Sequence, residues 1–282
     1  MNTNPVYKIS SKSRKVKNNF FFLHGNGFPP EAYHTFLEKL SESNDVFAMY
    51  QKPFSQTNIK PSSIIGWDIF KNDAIEFLNK KNLQKPVAVG HSMGAVLILL
   101  IEIQNPGTFK SIFLLDPVIT SRFKSFIYKI LLKIKLIDRM HPMIQRTKTK
   151  KMNYNSEKDI FKSYRKKNIF SKIDDHNLKL YINSIIENKG NDVSIKPSRD
   201  WENAIYRNGS IHDLMIWNQL NSITIPTYVI NPKNDEFGHF NYGRYLKNKN
   251  SNFININIED STHLFPLEYP EKTAKIITSK LN

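Results

Sequence analysis

No cysteine occurs among the 282 residues of this chain. That excludes disulfides, a thiol nucleophile and a thiolate metal site, and it fits a reducing compartment. Glycine is scarce, with 10 residues, so tight backbone features have few places to occur. Long hydrophobic runs are missing too. The longest, Ala95 to Ile101, falls far short of the roughly 20 apolar residues that span a bilayer. The opening stretch, Met1 to Asn19, is polar and basic, without the apolar segment of a secretory signal. A cytoplasmic location is therefore expected. Acidic residues are few, 25 against 41 Lys and Arg, giving a formal charge of +16. Such a charge suits nucleic acid or an anionic membrane surface. No nucleic-acid motif accompanies it, and Lys, Asn and Ile abound throughout, so nucleic acid is not expected as a partner. No His and carboxylate cluster has metal-ligand spacing, and neither metal nor cofactor is expected.

What the chain has is apolar bulk: 40% hydrophobic and 12% aromatic residues. That is enough for one large core, or for one core with a substantial insertion. Its most informative stretch runs from Val87 to Leu97. Val87-Ala88-Val89 reads as a buried strand, and Ala95 to Ile101 as a buried helix. Between them lies Gly90-His91-Ser92-Met93-Gly94, a G-x-S-x-G pattern. A strand that turns at once into a helix bends at one residue, and the flanking glycines leave room for the bend. The residue at the apex is lifted out of the sheet. The following helix aims unpaired N–H groups and its positive end at the same spot. One local geometry thus exposes a nucleophile and begins an anion hole.

The rest of the chain alternates. Phe20 to Leu23 is a predicted strand, followed by the loop His24-Gly25-Asn26-Gly27-Phe28-Pro29-Pro30. Ala32, Tyr33, Phe36, Leu37 and Leu40 then have helical spacing. Val46 to Tyr50 is a strand. Trp67, Phe70, Ala74, Phe77 and Leu78 mark a helix, and Ser111 to Asp116 is a strand. Strands alternating with helices imply a parallel sheet covered on both faces. From Pro117 to about Ser222 no strand is evident and helical patterns dominate. That segment holds 21 Lys and Arg against 10 Asp and Glu, which is +11 of the total +16. Strands resume at Ile225 to Ile230 and Phe253 to Ile258, and a helix from about Tyr269 to Leu281 closes the chain. The expected organisation is one α/β domain, residues 1–116 and 223–282, interrupted by a helical insertion at 117–222.

Ligands of open parallel sheets sit at the carboxyl ends of the strands. There lie His24 to Phe28, Ser92, Asp116, Asn231 to Asp235, and Thr262-His263. A serine hydroxyl needs a base, and the base needs a partner to hold its tautomer. His263, in the loop after the last strand, is the expected base. His24 and His91 suit loop shaping better, and His34, His141, His176, His212 and His239 fall in helices or in the insertion. For the acid, Asp235 follows one strand through Asn231-Pro232-Lys233-Asn234, and Asp116, at the end of another strand, is its rival. The oxyanion donors are expected to be the N–H of Met93 and that of Asn26 or Gly27.

These residues resemble the α/β-hydrolase fold with an inserted cap. The likeness rests on Leu23-His24-Gly25-Asn26-Gly27-Phe28-Pro29, Gly90 to Ala95, Asn231 to Asp235, and Thr262-His263-Leu264-Phe265-Pro266-Leu267-Glu268. The resemblance implies a mostly parallel eight-stranded sheet flanked by helices, a Ser92–Asp235–His263 triad, and a cap over the pocket. Serine at the bend implies esterase, lipase, thioesterase or amidase chemistry by two-step acyl transfer. Acyl transfer to another acceptor and C–C bond hydrolysis or lysis are the alternatives on the same fold. A non-enzymatic basic binding module is a further one. The expected partner is a small ester with an apolar acyl group. His91, Phe28 and Trp201 are expected at its binding site, and Trp201, Tyr206 and Trp217 are candidates for the acyl pocket. Phe123, Phe126, Ile127, Ile130, Leu131 and Ile134 share one helical face with lysines interspersed. That face either buries itself over the core domain or touches an anionic membrane.

Overall fold

The computed structural model describes residues 5–55, 57–189, 192–233 and 242–281. Its centre is a sheet built from β1 (Val6–Ile9), β2 (Asn19–Leu23), β3 (Asp45–Met49), β4 (Val87–His91) and β5 (Ser111–Leu115). Two later strands, β9 (Thr227–Pro232) and β10 (Phe253–Ile258), complete it. The spatial order is β1-β3-β2-β4-β5-β9-β10. All neighbours are parallel except β1, which runs antiparallel to β3 at one edge. These are seven strands among the described residues, and the eighth that the resemblance implies is not among them.

Strand side chains alternate between the two faces. Phe21, Leu23, Ala88, Ile112, Leu114 and Val229 point to one core, and Phe20, Phe22, Val87, Val89, Phe113, Leu115 and Ile230 to the other. The first core is closed by α2 (Asp68–Lys80) and α3 (Met93–Gln104). The second is closed by α1 (His34–Leu40) and by α12 (Phe265–Glu268) and α13 (Pro270–Thr278) at the end of the chain. Helix α3 is buried on all sides from Met93 to Ile103, as its unbroken apolar run requires. Each such Leu or Ile contributes about 1.5–3 kcal/mol on burial. The bend at Ser92 is thus seated on the least yielding element of the molecule.

Residues 117–222 lie between β5 and β9. They form α4 (Arg122–Lys133), α5 (Ile137–Met140), α6 (Pro142–Lys148), α7 (Glu157–Arg165), α8 (Asp175–Ile185), α9 (Arg199–Arg207) and α10 (Asp213–Gln219). Helix α11 (Tyr242–Lys249) follows β9. The segment is not purely helical as expected. It also holds an antiparallel sheet of β6 (Asn153–Tyr154), β7 (Ile186–Lys189) and β8 (Asp192–Ile195), in the order β6-β8-β7. Strands of two to four residues are too short to display a period against the helical patterns around them.

Four helices of the segment start at side-chain caps: Ser121, Ser156, Asp174 and Ser198 each accept from the backbone N–H three residues on, each worth about 1 kcal/mol. A buried knot joins the two ends of the segment. Asp213 Oδ2 accepts from Thr120 N (2.8 Å), Thr120 Oγ1 (2.6 Å) and Ser125 Oγ (3.3 Å). Burial pushes the Asp213 carboxyl up to about 6.

Candidate active site

Ser92 stands between β4 and α3 with φ 57° and ψ −116°, a left-handed conformation that costs a non-glycine residue about 1–3 kcal/mol. The surroundings hold it there. Ser92 N–H donates to Leu115 O at 2.9 Å. A Cβ on Gly90 would lie 2.6 Å from Ala95 N, and one on Gly94 would run into the Leu23 carbonyl. Both glycines are therefore dictated by close packing and not by their own dihedrals, neither of which is positive. Because α3 begins at Met93, the N–H groups of its first turn have no intrahelical acceptor.

Three loops meet at this bend, and one chain of hydrogen bonds ties them. Gly25 N–H donates to Tyr33 Oη (3.2 Å), Tyr33 O–H to His91 Nδ1 (2.7 Å), and His91 Nε2–H to His263 O (2.8 Å). The order follows from chemistry: His263 O can only accept, so His91 carries its proton on Nε2 and must accept on Nδ1. Complete burial and the neighbouring His263 hold the His91 imidazole well below its usual range, and hence neutral. Gly25 has no space for a side chain, since a Cβ would meet His91 Nδ1 at 3.1 Å and Ser92 Cβ at 3.4 Å.

His24 does similar work on the other side of the loop. Its Nδ1–H donates to Gly25 O (2.8 Å) and its Nε2 accepts from Gln51 N–H (3.0 Å). Burial lowers its pKa from 6.5 to about 4. Its contribution to stability is therefore full above about 6.5 and is lost as pH falls through about 4, a change of about 3 kcal/mol. Asp213 titrates in the opposite sense, so the readout is a difference. The stability gap between wild type and His24→Gln, measured by urea unfolding, is expected to shrink steadily from pH 7 to pH 4. A gap independent of pH would show that His24 is not held neutral.

His263 follows β10 in a loop set by its own contacts. Thr262 N–H donates to Glu268 Oε2 (2.9 Å), the Thr262 hydroxyl bonds the same carboxylate, and Leu264 N–H donates to Thr262 Oγ1 (3.2 Å). His263 Nδ1 lies 2.6 Å from Asp116 Oδ2, with side-chain exposures of 14% and 8%. Asp116 ends β5 in a left-handed conformation, φ 43°, pinned by its N–H to Ile230 O at 2.8 Å. The carboxylate that the structure places on His263 is thus the rival named above. Asp235 lies outside the described residues.

Ser92, Met93, His91 and His263 border a cavity of about 420 Å³, together with Gly25, Asn26 and Phe28. Gly27 (φ 81°) turns the loop beside it. Both amide atoms of Asn26 are buried, and its side chain faces the Tyr206 hydroxyl. Phe28 stacks on Tyr181 of α8, ring centres 4.4 Å apart. Tyr206 lines the cavity, whereas Trp201 and Trp217 pack against the core on the α3 side of the sheet. The indole at the cavity is that of Trp67, whose Nε1–H donates to Ile205 O (3.1 Å). His141, Met143, Arg146 and Ile169 supply much of the remaining wall. No sequence signal marked these four, because nothing local tells which side of a short helix meets a cavity. Among the described residues no group of His, Asp and Glu could hold a metal ion.

The comparisons with known proteins agree with this architecture. Residues 14–175 match the model of the family described as serine aminopeptidase, S33. The chain belongs to this family of α/β-hydrolases. Over 116 residues this family member is 27% identical to ethanol acetyltransferase 1 of Hanseniaspora uvarum, a match covering 40% of this chain and 34% of that protein. It spans about a third of that relative's length. In three dimensions the S33 member is similar to the peroxisomal α/β-hydrolase Lpx1 of Saccharomyces cerevisiae. The TM-score is 0.73 at 18% identity, over 98% of this chain and 80% of that one. It is also similar to the thioesterase domain from the curacin biosynthetic pathway, with a TM-score of 0.74 at 15% identity over 97% and 94% of the two chains. At such identities the likeness establishes the α/β-hydrolase fold.

Proposed function

We propose that this protein is a serine hydrolase of carboxylic esters or thioesters, acting by two-step acyl transfer in a pocket capped by residues 117–222. The observation that carries the reading is the 2.6 Å contact of His263 Nδ1 with Asp116, at the same cavity as the lifted hydroxyl of Ser92. A carboxylate accepting from Nδ1–H holds the ring in the tautomer whose Nε2 can act as the base. Nε2 takes the Ser92 proton as Oγ attacks the ester carbonyl. The Met93 N–H and that of Asn26 or Gly27 hold the oxyanion that forms. When the tetrahedral adduct collapses, the C–O or C–S bond breaks and His263 returns the proton to the departing alcohol or thiol. Water, deprotonated by the same nitrogen, then attacks the acyl-serine and releases the acid. Apolar walls from Trp67, Val118, Met143, Ile169 and Ile205 suit an apolar acyl group.

A fluorophosphonate probe tests the reading directly, since it forms a bond to an activated serine with loss of fluoride. The expected result is a single adduct at Ser92, located by peptide mass spectrometry. Labelling elsewhere, or none, would overturn it. One observation favours a second reading, transfer of the acyl group to an alcohol: the partial match to ethanol acetyltransferase 1. Ethyl ester appearing in preference to free acid, in an assay containing ethanol, would decide for transfer.

A further inference from the structure

We propose that the outward face of α4 docks on an anionic phospholipid bilayer and sets the cavity mouth against the lipid. Phe123, Phe126, Ile127, Ile130 and Ile134 are 72%, 58%, 39%, 43% and 53% exposed. Their positions, i, i+3, i+4, i+7 and i+11, fall on one side of a helix. The opposite side is the one turned inward, with Ser125 and Tyr128 buried. Two bonds fix that orientation: Tyr128 O–H to Tyr206 O, and Arg122 Nη2 to Trp217 O at 3.1 Å. The helix thus presents its apolar side to solvent and is held in that setting. Beyond its end in sequence two further apolar side chains are open to solvent, Leu136, 37% exposed, and Met140, 60% exposed. The next residue, His141, lines the cavity. An exposed apolar helix face of this kind marks an interaction surface.

Charge selects the occupant. Residues 121–136 contain Arg122, Lys124, Lys129, Lys133 and Lys135 and no Asp or Glu. The nearest acid in sequence, Asp138, is engaged by Arg207 at 2.7 Å. At 100° per residue Lys124 flanks the apolar side on one edge, and Arg122 and Lys133 on the other. Stems of such residues lie along apolar surface while their ammonium groups reach acidic headgroups. A second copy of this chain would bring the same lysines face to face across a two-fold axis. A nucleic acid would satisfy the lysines and leave Phe123 and Phe126 in water. An anionic bilayer meets both demands. The consequence for substrate, that it arrives from the lipid, rests on the hydrolase reading above, whereas the docking itself does not.

The test separates the two by using Ser92→Ala protein in vesicle flotation. Phosphatidylcholine vesicles are compared with vesicles also containing phosphatidylglycerol, at low and high salt. Flotation is expected with the anionic vesicles at low salt and should weaken at high salt. It should fall about ten-fold or more in F126E/I130E and in K124E/K129E/K133E. All these side chains are exposed, so wild-type protein carrying F126E/I130E should keep its turnover of a short soluble ester, which verifies its fold. Absence of flotation with anionic vesicles, or undiminished flotation of F126E/I130E, would overturn the proposal. So would a dimer in sedimentation that F126E/I130E abolishes, since the face would then belong to a second copy. Flotation without any labelling of Ser92 would sink only the hydrolytic reading.

Discussion

Replacing Ser92 with alanine is expected to lower kcat/KM toward a short p-nitrophenyl ester by about 10⁴-fold or more, to the level of buffer. The size of the effect follows from the division of labour at the site. The cavity, the Met93 N–H and the His263–Asp116 pair all survive the change, so substrate still binds and the base is still present. In the proposed mechanism what disappears is the oxygen that would carry the acyl group, which leaves the first covalent step without a nucleophile. The fold should be untouched. Alanine bears the same Cβ as serine and suffers no more from φ 57°, and the bend is fixed by backbone bonds and by the two glycines. A thermal midpoint within about 2 °C of wild type is the control. Turnover near wild type in a folded Ser92→Ala protein would remove the proposed chemistry altogether.

The second large effect distinguishes two carboxylates. Asp116→Asn is expected to cost about 10⁴-fold in kcat, and Asp235→Asn less than about ten-fold. An asparagine at 116 keeps the shape but offers no negative charge to the imidazolium that forms when His263 takes the Ser92 proton. Its amide can also donate to Nδ1, which would drive the ring into the tautomer whose Nε2 is already protonated and cannot act as base. Asparagine tolerates left-handed dihedrals better than most residues, so φ 43° at position 116 should not unfold the variant. The loss should fall on kcat with KM little changed, because Asp116 acts through His263. The reverse ranking of the two variants would give the acid role to Asp235.

That pair of residues also shows where sequence stops being informative. Both aspartates follow strands that end on the same edge of the sheet, and nothing in their neighbours says which one an imidazole from the far end of the chain will reach. The bend at Ser92, by contrast, was legible because every requirement for it is local: a strand, two glycines and an apolar helix within eleven residues. The alternation of strands and helices was legible for the same reason, since Phe20 to Leu23 and Val87 to His91 announce buried strands by composition alone. Helix α4 lies between these cases. Its spacing shows that one side is apolar, but amphipathicity does not say which side meets the protein. The structure turns Ser125 and Tyr128 inward, because a buried partner for Tyr128 O–H exists at Tyr206 O. Trp201 and Trp67 illustrate the same limit: an indole's size guarantees burial somewhere, and only the packing of α9 against the loop before α2 puts Trp67 at the cavity.

The stacked rings of Phe28 and Tyr181 have a mechanical consequence. Phe28 sits one residue beyond Gly27 in the loop from which Asn26 or Gly27 is proposed to supply an oxyanion donor, and Tyr181 belongs to α8. On the proposed mechanism, a guest large enough to push α8 outward is expected to draw that loop, and the donor with it, away from the substrate carbonyl. Bulk would then be read as lost rate and not as lost entry, with the ring pair linking the size of a guest to its expected turnover.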